Sequence, residues 1–380
     1  MRVSVVILSE RVATVTDMTS TQLQRLIDDQ HGLVTRPQIA RLGYSRKRID
    51  FLVESRQWQR VLHGVYSVTT GPLDRRMTLV AALLYGGESA ILSHDSAAEE
   101  WGMIGVDAGR PVHVTVRYGL SAMNQPPTYR RGGARLTPLI GAVLHPGVRV
   151  HRSRAIAHIR VESALPRTTR ADTALDMAVA SPTPTEAVDT LVSAVTHSGV
   201  KLLDIQRRLA ERPPHRYGNA IAGAVALLAD GVQSILEFRY ATDVEQAHGL
   251  PAARRQGEVV VDGHTLYEDV TYRIDEHGVI VRLDGREAHS VSAIAFRDRR
   301  RENAAELAGK SSLVYGWDEV DREPCEVAAE VRVVLQRHGW DGPNPCVRCK
   351  NPDQDCARFT PAGPGKTRTG VGMEQPPSRT

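Results

Sequence analysis

A chain of 380 residues is longer than a single hydrophobic core ordinarily serves, so two or three domains are expected. Its 41% apolar fraction is that of a globular protein, and no apolar run approaches the length of a membrane-spanning helix, so no membrane partner is expected. A net charge of +4 is modest, so its distribution carries the argument; four cysteines, three of them crowded near the end, exclude a secreted disulfide framework and fit a cytoplasmic location.

The first residues, "MRVSVVILSE", hold a short apolar stretch with an acid directly after it and no small-residue cleavage site, which argues against a signal peptide. Residues 1–17 read as a disordered lead or an upstream start. From 18 to 75 the elements are small and closely punctuated. "STQLQRLIDDQHG" is a helix with Leu23, Leu26 and Ile27 on one face and Gly32 past its end. Thr35 caps a short helix, Gln38 completes a capping box, and Gly43 permits a tight turn. Ser45 then caps a third helix whose Ile49, Leu52 and Val53 face inward, and "QRVLHGVYSV" reads as a hairpin around His63-Gly64. Helix, short helix, turn, helix, hairpin is the layout of a winged helix-turn-helix.

Arg46, Lys47 and Arg48 occupy the first turn of the third helix, where the macrodipole disfavours cations. That cost is explained if the turn meets phosphates or base edges in a major groove. Arg56, Arg60 and His63 add a basic wing, and the competing reading is a solvated basic face on a structural module. The stretch "HGLVTRPQIARLGYSRKRIDFLVESRQWQRVLHGVYSV" resembles the N-terminal domain of AbiEi-type antitoxins. The resemblance implies a module that binds double-stranded DNA and regulates transcription. It also implies a toxin protein, of the nucleotidyltransferase type, as a second partner.

Residues 76–212 read as mixed α/β. "MTLVAALLYGG" and "SHDSAAEEWGM" are helices, the second capped by Ser93 or Asp95; "VHVTVRYG" and "VRVHRS" are alternating strands. Three more helices follow in "TRADTALDMAVA", "PTEAVDTLVSAVTHSG" and "VKLLDIQRRLAER", and this arrangement resembles the AbiEi middle region. His94, Asp95 and Glu99 are read as a capped helix with ordinary surface acids in preference to a metal or acid–base cluster. The Pro/Gly-rich segment with Arg130, Arg131 and Arg135 reads as a loop.

"RPPHRYGNA" is the expected hinge into a last domain at 217–340. There, "SILEFRYATDVEQAHGLP" is a helix, "RRQGEVVV" and "HTLYEDVTYR" make a hairpin about Asp262-Gly263, and "GVIVRLDG" is a third strand. A long polar helix, "SAIAFRDRRRENAAELAG", and a short strand, "SLVYGW", complete an αβββαβ order. Alternation puts Arg282 and Asp284 on one strand face, and a hairpin neighbour can bring Asp269 beside them. Carboxylates converging from adjacent strands are what a hydrolytic Mg²⁺ site needs. The residues "ILE", "YEDVTY", "LDGREAH", "RDRRREN" and "LVYGWDEV" resemble the very-short-patch-repair type of PD-(D/E)XK endonuclease-like domain. The resemblance implies a restriction-endonuclease-like fold with Glu237, Asp269, Asp284 and His289 as catalytic positions, Asp269 and Asp284 as Mg²⁺ ligands, and Arg297 and Arg301 as DNA contacts. It also marks a departure, because such domains carry a glutamate where this chain has Arg282. The site is therefore expected to be degenerate, with Arg282 as a tethered counterion between Asp269 and Asp284.

Two of these residues have local readings of equal standing. Ser234-x-x-Glu237 is also a capping box, and Asp284 before Gly285 suits a turn. A C-terminal tail, 341–380, closes the chain; its Cys346, Cys349 and Cys356 make a Cys-x-x-Cys with a third cysteine, a zinc pattern that needs Cys325 or His338 as fourth ligand. The fold class expected is α+β multidomain: winged helix, mixed α/β middle region, endonuclease-like domain. The function expected is a DNA-binding, antitoxin-like regulator with an inactive nuclease-like domain. The alternatives are a Mg²⁺-dependent endonuclease or a toxin-neutralising protein. No cofactor is expected beyond Mg²⁺ in an active nuclease or Zn²⁺ in the tail.

Overall fold

The structure, a computed structural model, describes residues 21–130, 143–261, 264–274, 278–284, 309–343 and 346. It divides into two compact units, Met1–Val225 and Ala226–Thr380. No helix among the described residues is long and apolar enough to cross a membrane.

The first unit opens on α1 (21–29), β1 (Leu33–Thr35), α2 (Arg36–Arg41), α3 (Arg46–Glu54), β2 (Gln59–Leu62) and β3 (Val65–Ser67). The caps form as their sequences dictate. Thr35 accepts from the Gln38 N–H while the Gln38 side chain accepts from the Thr35 N–H at 2.8 Å, and Ser45 accepts from the Arg48 N–H at 3.3 Å. Gly43 and Gly64 turn the chain at φ of +83° and +72°. The hairpin is in fact a three-stranded sheet in the order β1-β3-β2, because β1 pairs antiparallel to β3 through Val34 and Tyr66. Val34, Ile39, Ile49, Trp58 and Tyr66 form a small core under the helices, with Leu23, Leu26, Ile27, Leu52 and Val53 packed against it.

The next segment supplies α4 (Arg75–Gly86), β4 (Ile91–Leu92), α5 (His94–Trp101), β5 (Val112–Arg117), β6 (Thr128–Tyr129), β7 (Val143–His145) and β8 (Val148–Ser153). After α6 (Ile156–Ile159), β9 (Arg160–Val161) and β10 (Arg167–Thr168) come α7 (Arg170–Ala180), α8 (Pro184–His197) and α9 (Leu202–Glu211). Their sheet has the order β8-β5-β4-β10-β9, with β5 and β8 parallel. Leu33, Val61, Leu62 and Val65 of the N-terminal segment share a core with Leu79, Leu92, Val112, Val114 and Val148. The N-terminal segment is thus packed into a larger body. The stretch read as a loop contains the β6–β7 pair, and its Arg131 and Arg135 lie outside the described residues.

The unit division falls inside α10 (Gly218–Ala229), just past the expected hinge. The second unit continues with α11 (Ile235–Arg239), a π-helical continuation (Tyr240–Gln246), β11 (Arg254–Val261), β12 (His264–Tyr272), β13 (Val279–Asp284), β14 (Ser311–Gly316), α12 (Trp317–Arg322) and α13 (Pro324–Arg337). The sheet order is β11-β12-β13-β14; the first three strands form an antiparallel meander and β14 returns parallel to β13. The turn expected at Asp262-Gly263 and the polar helix expected over 292–309 fall almost wholly outside the described residues. Under the sheet, Tyr240 and Tyr272 meet hydroxyl to hydroxyl at 2.9 Å, and Tyr272 donates to Glu245 at 3.3 Å, in a core with Val270, Val281, Val331 and Leu335.

Candidate functional site

Helix α3 turns Ile49 into the core and leaves Lys47, Asp50, Phe51 and Glu54 exposed, as a period of 3.6 requires. Phe51 is 60% exposed, a large apolar ring on the outer face of a cationic helix. Arg46 is exposed and 3.8 Å from Asp50, and the Arg48 guanidinium lies 4.6 Å above the Tyr44 ring. Arg60 is exposed on β2 opposite Tyr66, His63 is exposed at the hairpin tip, and Arg56 is exposed in the link between α3 and β2. A shallow cleft of about 170 Å³ lies between α3 and the wing, lined by Arg36, Arg46 and Arg60 with Asp50, Glu54 and Tyr66. The helix, its cationic first turn and the wing therefore form one continuous surface. Residues 22–69 match the family model described as transcriptional regulator, AbiEi antitoxin. No curated protein matches the chain.

Two residues of the matched segment do not stand out from the sequence as surface contacts. Phe51 could be found there, since it stands opposite Ile49, Leu52 and Val53 on a helical wheel. Arg36 could not. Its place on the cleft depends on β1 pairing with β3 and on the Arg36 N–H donating to the Gly64 carbonyl at 2.8 Å.

In the second unit the structure gathers some of the expected residues and redirects others. Glu237 is 6% exposed and serves its helix end: it accepts from the Gln233 N–H at 3.0 Å and the Ser234 hydroxyl at 3.1 Å, while Ser234 accepts from its N–H. The Ser234 cap therefore forms, but the reciprocal bond of a capping box goes to the Gln233 N–H, one residue before the cap. Glu237 also accepts from the Gln256 amide at 3.2 Å, and Gln256 stands in the left-handed region at φ +50°. The β11–β12 register, from Arg255↔Val270 to Gly257↔Glu268, sets Gln256 opposite Asp269. Burial raises the Glu237 carboxyl above its ordinary range, and the charge of Asp269 adds to the rise.

The expected bridge from Arg282 to Asp269 and Asp284 is corrected. The fork of Arg282 closes on Glu268, Nε to Oε2 at 2.8 Å and Nη2 to Oε1 at 3.1 Å, with the residues 8% and 5% exposed. Asp269 instead accepts the Leu283 N–H at 2.8 Å, just past the last ladder pair, Val270↔Val281. A carboxylate that replaces a missing ladder acceptor is held to the backbone, so its neighbour takes the guanidinium. Asp284 is exposed at the end of β13, opposite Gly316. His289, Arg297 and Arg301 lie outside the described residues, as do Cys349 and Cys356.

The first unit also holds polar clusters that overturn the reading of α5 as a capped helix with surface acids. Ser93 stands at the cap position without capping, its hydroxyl 3.1 Å from His94 Nδ1, and Asp95 lies 3.6 Å from Arg110. Glu99 is 6% exposed and held between Arg75, at 2.9 Å, and Arg110. His94, at φ +49°, stacks on His151 with centroids 3.8 Å apart and planes 17° apart. His113 Nδ1 lies 3.1 Å from His151 Nε2, because β5 and β8 run parallel with Thr115 opposite His151. Two imidazoles ligating one ion by their edges cannot also lie face to face at that spacing. Arg149, Arg75 and Arg110 further oppose a dication there. Burial first lowers His94 to about 2 and His113 and His151 to about 4; the other two histidines add to the fall for His94, Arg149, Arg75 and Arg110 for His113, and His113 with Arg149 for His151. They form a stack of neutral rings.

Proposed function

We propose that the protein is a duplex-DNA-binding regulator of the antitoxin type, in which α3 enters the major groove and the β2–β3 wing follows the backbone. The observation that carries the reading is the exposed cationic first turn of α3, set against its own helix dipole and continuous with Arg60 and His63 of the wing. Lys47 and Arg46 suit phosphates. Phe51 suits apolar contact with a thymine methyl, and Glu54 can accept from a cytosine amine.

Replacing Arg46, Lys47 and Arg48 together by alanine in the full chain should weaken binding to a duplex and flatten its salt dependence. Every phosphate that is no longer neutralised takes about 0.9 off the log–log slope. Fluorescence anisotropy across a salt series reads this directly, and an unchanged slope would remove α3 from the interface. Phe51→Ala should leave the slope intact while narrowing the affinity gap between duplexes of different sequence.

We infer further that the second unit is an endonuclease-like domain without hydrolytic chemistry. The residues present do not fit a divalent cation. A guanidinium stands where the resemblance requires a carboxylate, Glu268 neutralises it, and Asp269 is engaged by the Leu283 N–H. The wild type should therefore show no thermal shift with Mn²⁺ and should not nick plasmid DNA. Arg282→Glu replaces the tethered cation by a third carboxylate and should acquire a Mn²⁺-dependent rise in melting temperature. Metal-dependent nicking by the wild type, abolished in Asp269→Ala, would reinstate the endonuclease.

A further inference from the structure

We propose that His248, Cys325 and Cys346 are three of the ligands of a zinc site within the second unit, which ties Cys346 to α13 and to the segment after the π-helical turn. The three residues come from separate places: His248 follows the π-helical continuation, Cys325 lies in the first turn of α13, and Cys346 stands beyond the end of that helix. Their ligand atoms all lie within 4.8 Å of one another. His248 is 2% and Cys346 6% exposed.

The sulfurs of Cys325 and Cys346 are 4.0 Å apart, about twice the length of a disulfide bond. Two thiolates held about 2.3 Å from one tetrahedral ion stand roughly 3.8 Å from each other, which is close to this spacing. The imidazole is presented in the required form. His248 Nδ1 lies 2.9 Å from the Val244 carbonyl, which can only accept, so Nδ1 carries the proton and Nε2 carries the lone pair. A backbone carbonyl orienting the other nitrogen is the usual outer partner of a metal-bound histidine. Arg332 donates to the His248 carbonyl at 2.8 Å and fixes the backbone on which the ring sits.

Two thiolates and a neutral imidazole select a borderline-soft ion, Zn²⁺, over Mg²⁺ or Ca²⁺. Two thiolates also balance its charge, which matters beside the buried His248 and Cys346, Cys325 being half-buried. His338, the histidine considered from sequence as a tail ligand, is elsewhere, with Nε2 2.9 Å from the Ser311 hydroxyl. The sequence offers the tail cysteines with Cys325 or His338; the geometry brings Cys346 and Cys325 together and adds His248, from the segment after the π-helical turn.

The test is native mass spectrometry of the full chain, purified with a reductant and without chelators. One zinc per chain is expected, together with thiolate-to-cobalt charge-transfer absorption after exchange with Co²⁺. Cys325→Ser, Cys346→Ser and His248→Gln should each lose the zinc or weaken its retention against a chelator by at least tenfold. Should these variants fail to fold, the wild type decides alone: a chelator should lower its melting temperature, and added Zn²⁺ should restore it. A wild type that stays metal-free and gives no Co²⁺ absorption overturns the proposal. Zinc that survives Cys325→Ser and His248→Gln but is lost in Cys349→Ser and Cys356→Ser also overturns it, by placing the ion on the tail alone.

Discussion

Replacing Arg282 by alanine is expected to destabilise the second unit by about 3–5 kcal/mol, the usual consequence of leaving one partner of a buried ion pair alone. Glu268, 5% exposed, would lose both bonds of its fork while staying buried, next to Asp269 in sequence and on the strand facing Arg282. For a unit of this size about 1 kcal/mol moves a melting temperature by roughly 2–4 °C, so a loss of the order of 10 °C follows. Arg282→Lys should recover only part of it, because an ammonium cannot make both parallel bonds. The double substitution Arg282→Met with Glu268→Met should recover most of it, since removing both charges also removes the cost of burying them. If the single and double variants melt together, well below the wild type, the loss comes from packing and the two charges are not coupled.

The same pair marks where sequence reasoning stops. A cation at the position of an expected carboxylate is visible in "VRLDG", and so is the neighbourhood of Asp269, because alternation and hairpin order fix it. The partner is not visible. It depends on the ladder ending at Val270↔Val281, which commits Asp269 to the Leu283 N–H and leaves Glu268 for the guanidinium. Other gaps have the same origin. Capping is decided within four residues, so the Thr35–Gln38 box and the Ser45 cap could be read locally. A three-residue strand such as β1 carries no alternation, and it exists only because β3 accepts it. The apolar spacing of Leu236, Tyr240 and Val244 fits an α-helix as well as the π-helical winding found over Tyr240–Gln246. Glu99 reads as a surface acid in "AAEEW"; its burial requires Arg75, 24 positions back, and Arg110, 11 positions on. His113 and His151 stand 38 residues apart, and only the parallel register of β5 and β8 joins them.

Those histidines lead to the largest expected effect, a steep loss of stability of the first unit between neutral pH and pH 5. His94, His113 and His151 are joined by His145, which is fully buried and lowered to about 4, chiefly by burial. Its Nε2 donates to the Thr78 carbonyl at 3.0 Å and its Nδ1 accepts from the Gly147 N–H at 3.0 Å, so a second proton has nowhere to go. In the unfolded chain each ring takes up a proton below about pH 6.5. In the folded chain His113, His145 and His151 resist until about 4 and His94 until about 2. The unfolded state therefore binds more protons throughout that window, and stability falls as the pH falls through it. At pH 5 each ring contributes a loss of about 2 kcal/mol. Asp176 works in the opposite direction. It lies 4.0 Å from His94, and its carboxyl is pushed up to about 7 by burial first and then by the charge of Asp172, although its side chain keeps 28% exposure. Asp172, raised chiefly by burial, works in the same direction as Asp176, so the net loss by pH 5 is on the order of a few kcal/mol, a large part of the stability of many domains. Urea titrations followed by tryptophan emission at pH 7, 6 and 5 should trace it, with Trp58 and Trp101 reporting from the first unit. His151→Phe keeps a ring in the stack but removes a proton site, so it should hold about 2 kcal/mol more stability than the wild type at pH 5 relative to pH 7. A wild type whose midpoint is level from pH 7 to 5, or a His151→Phe variant with an unchanged slope, would mean that the folded stack already carries its protons.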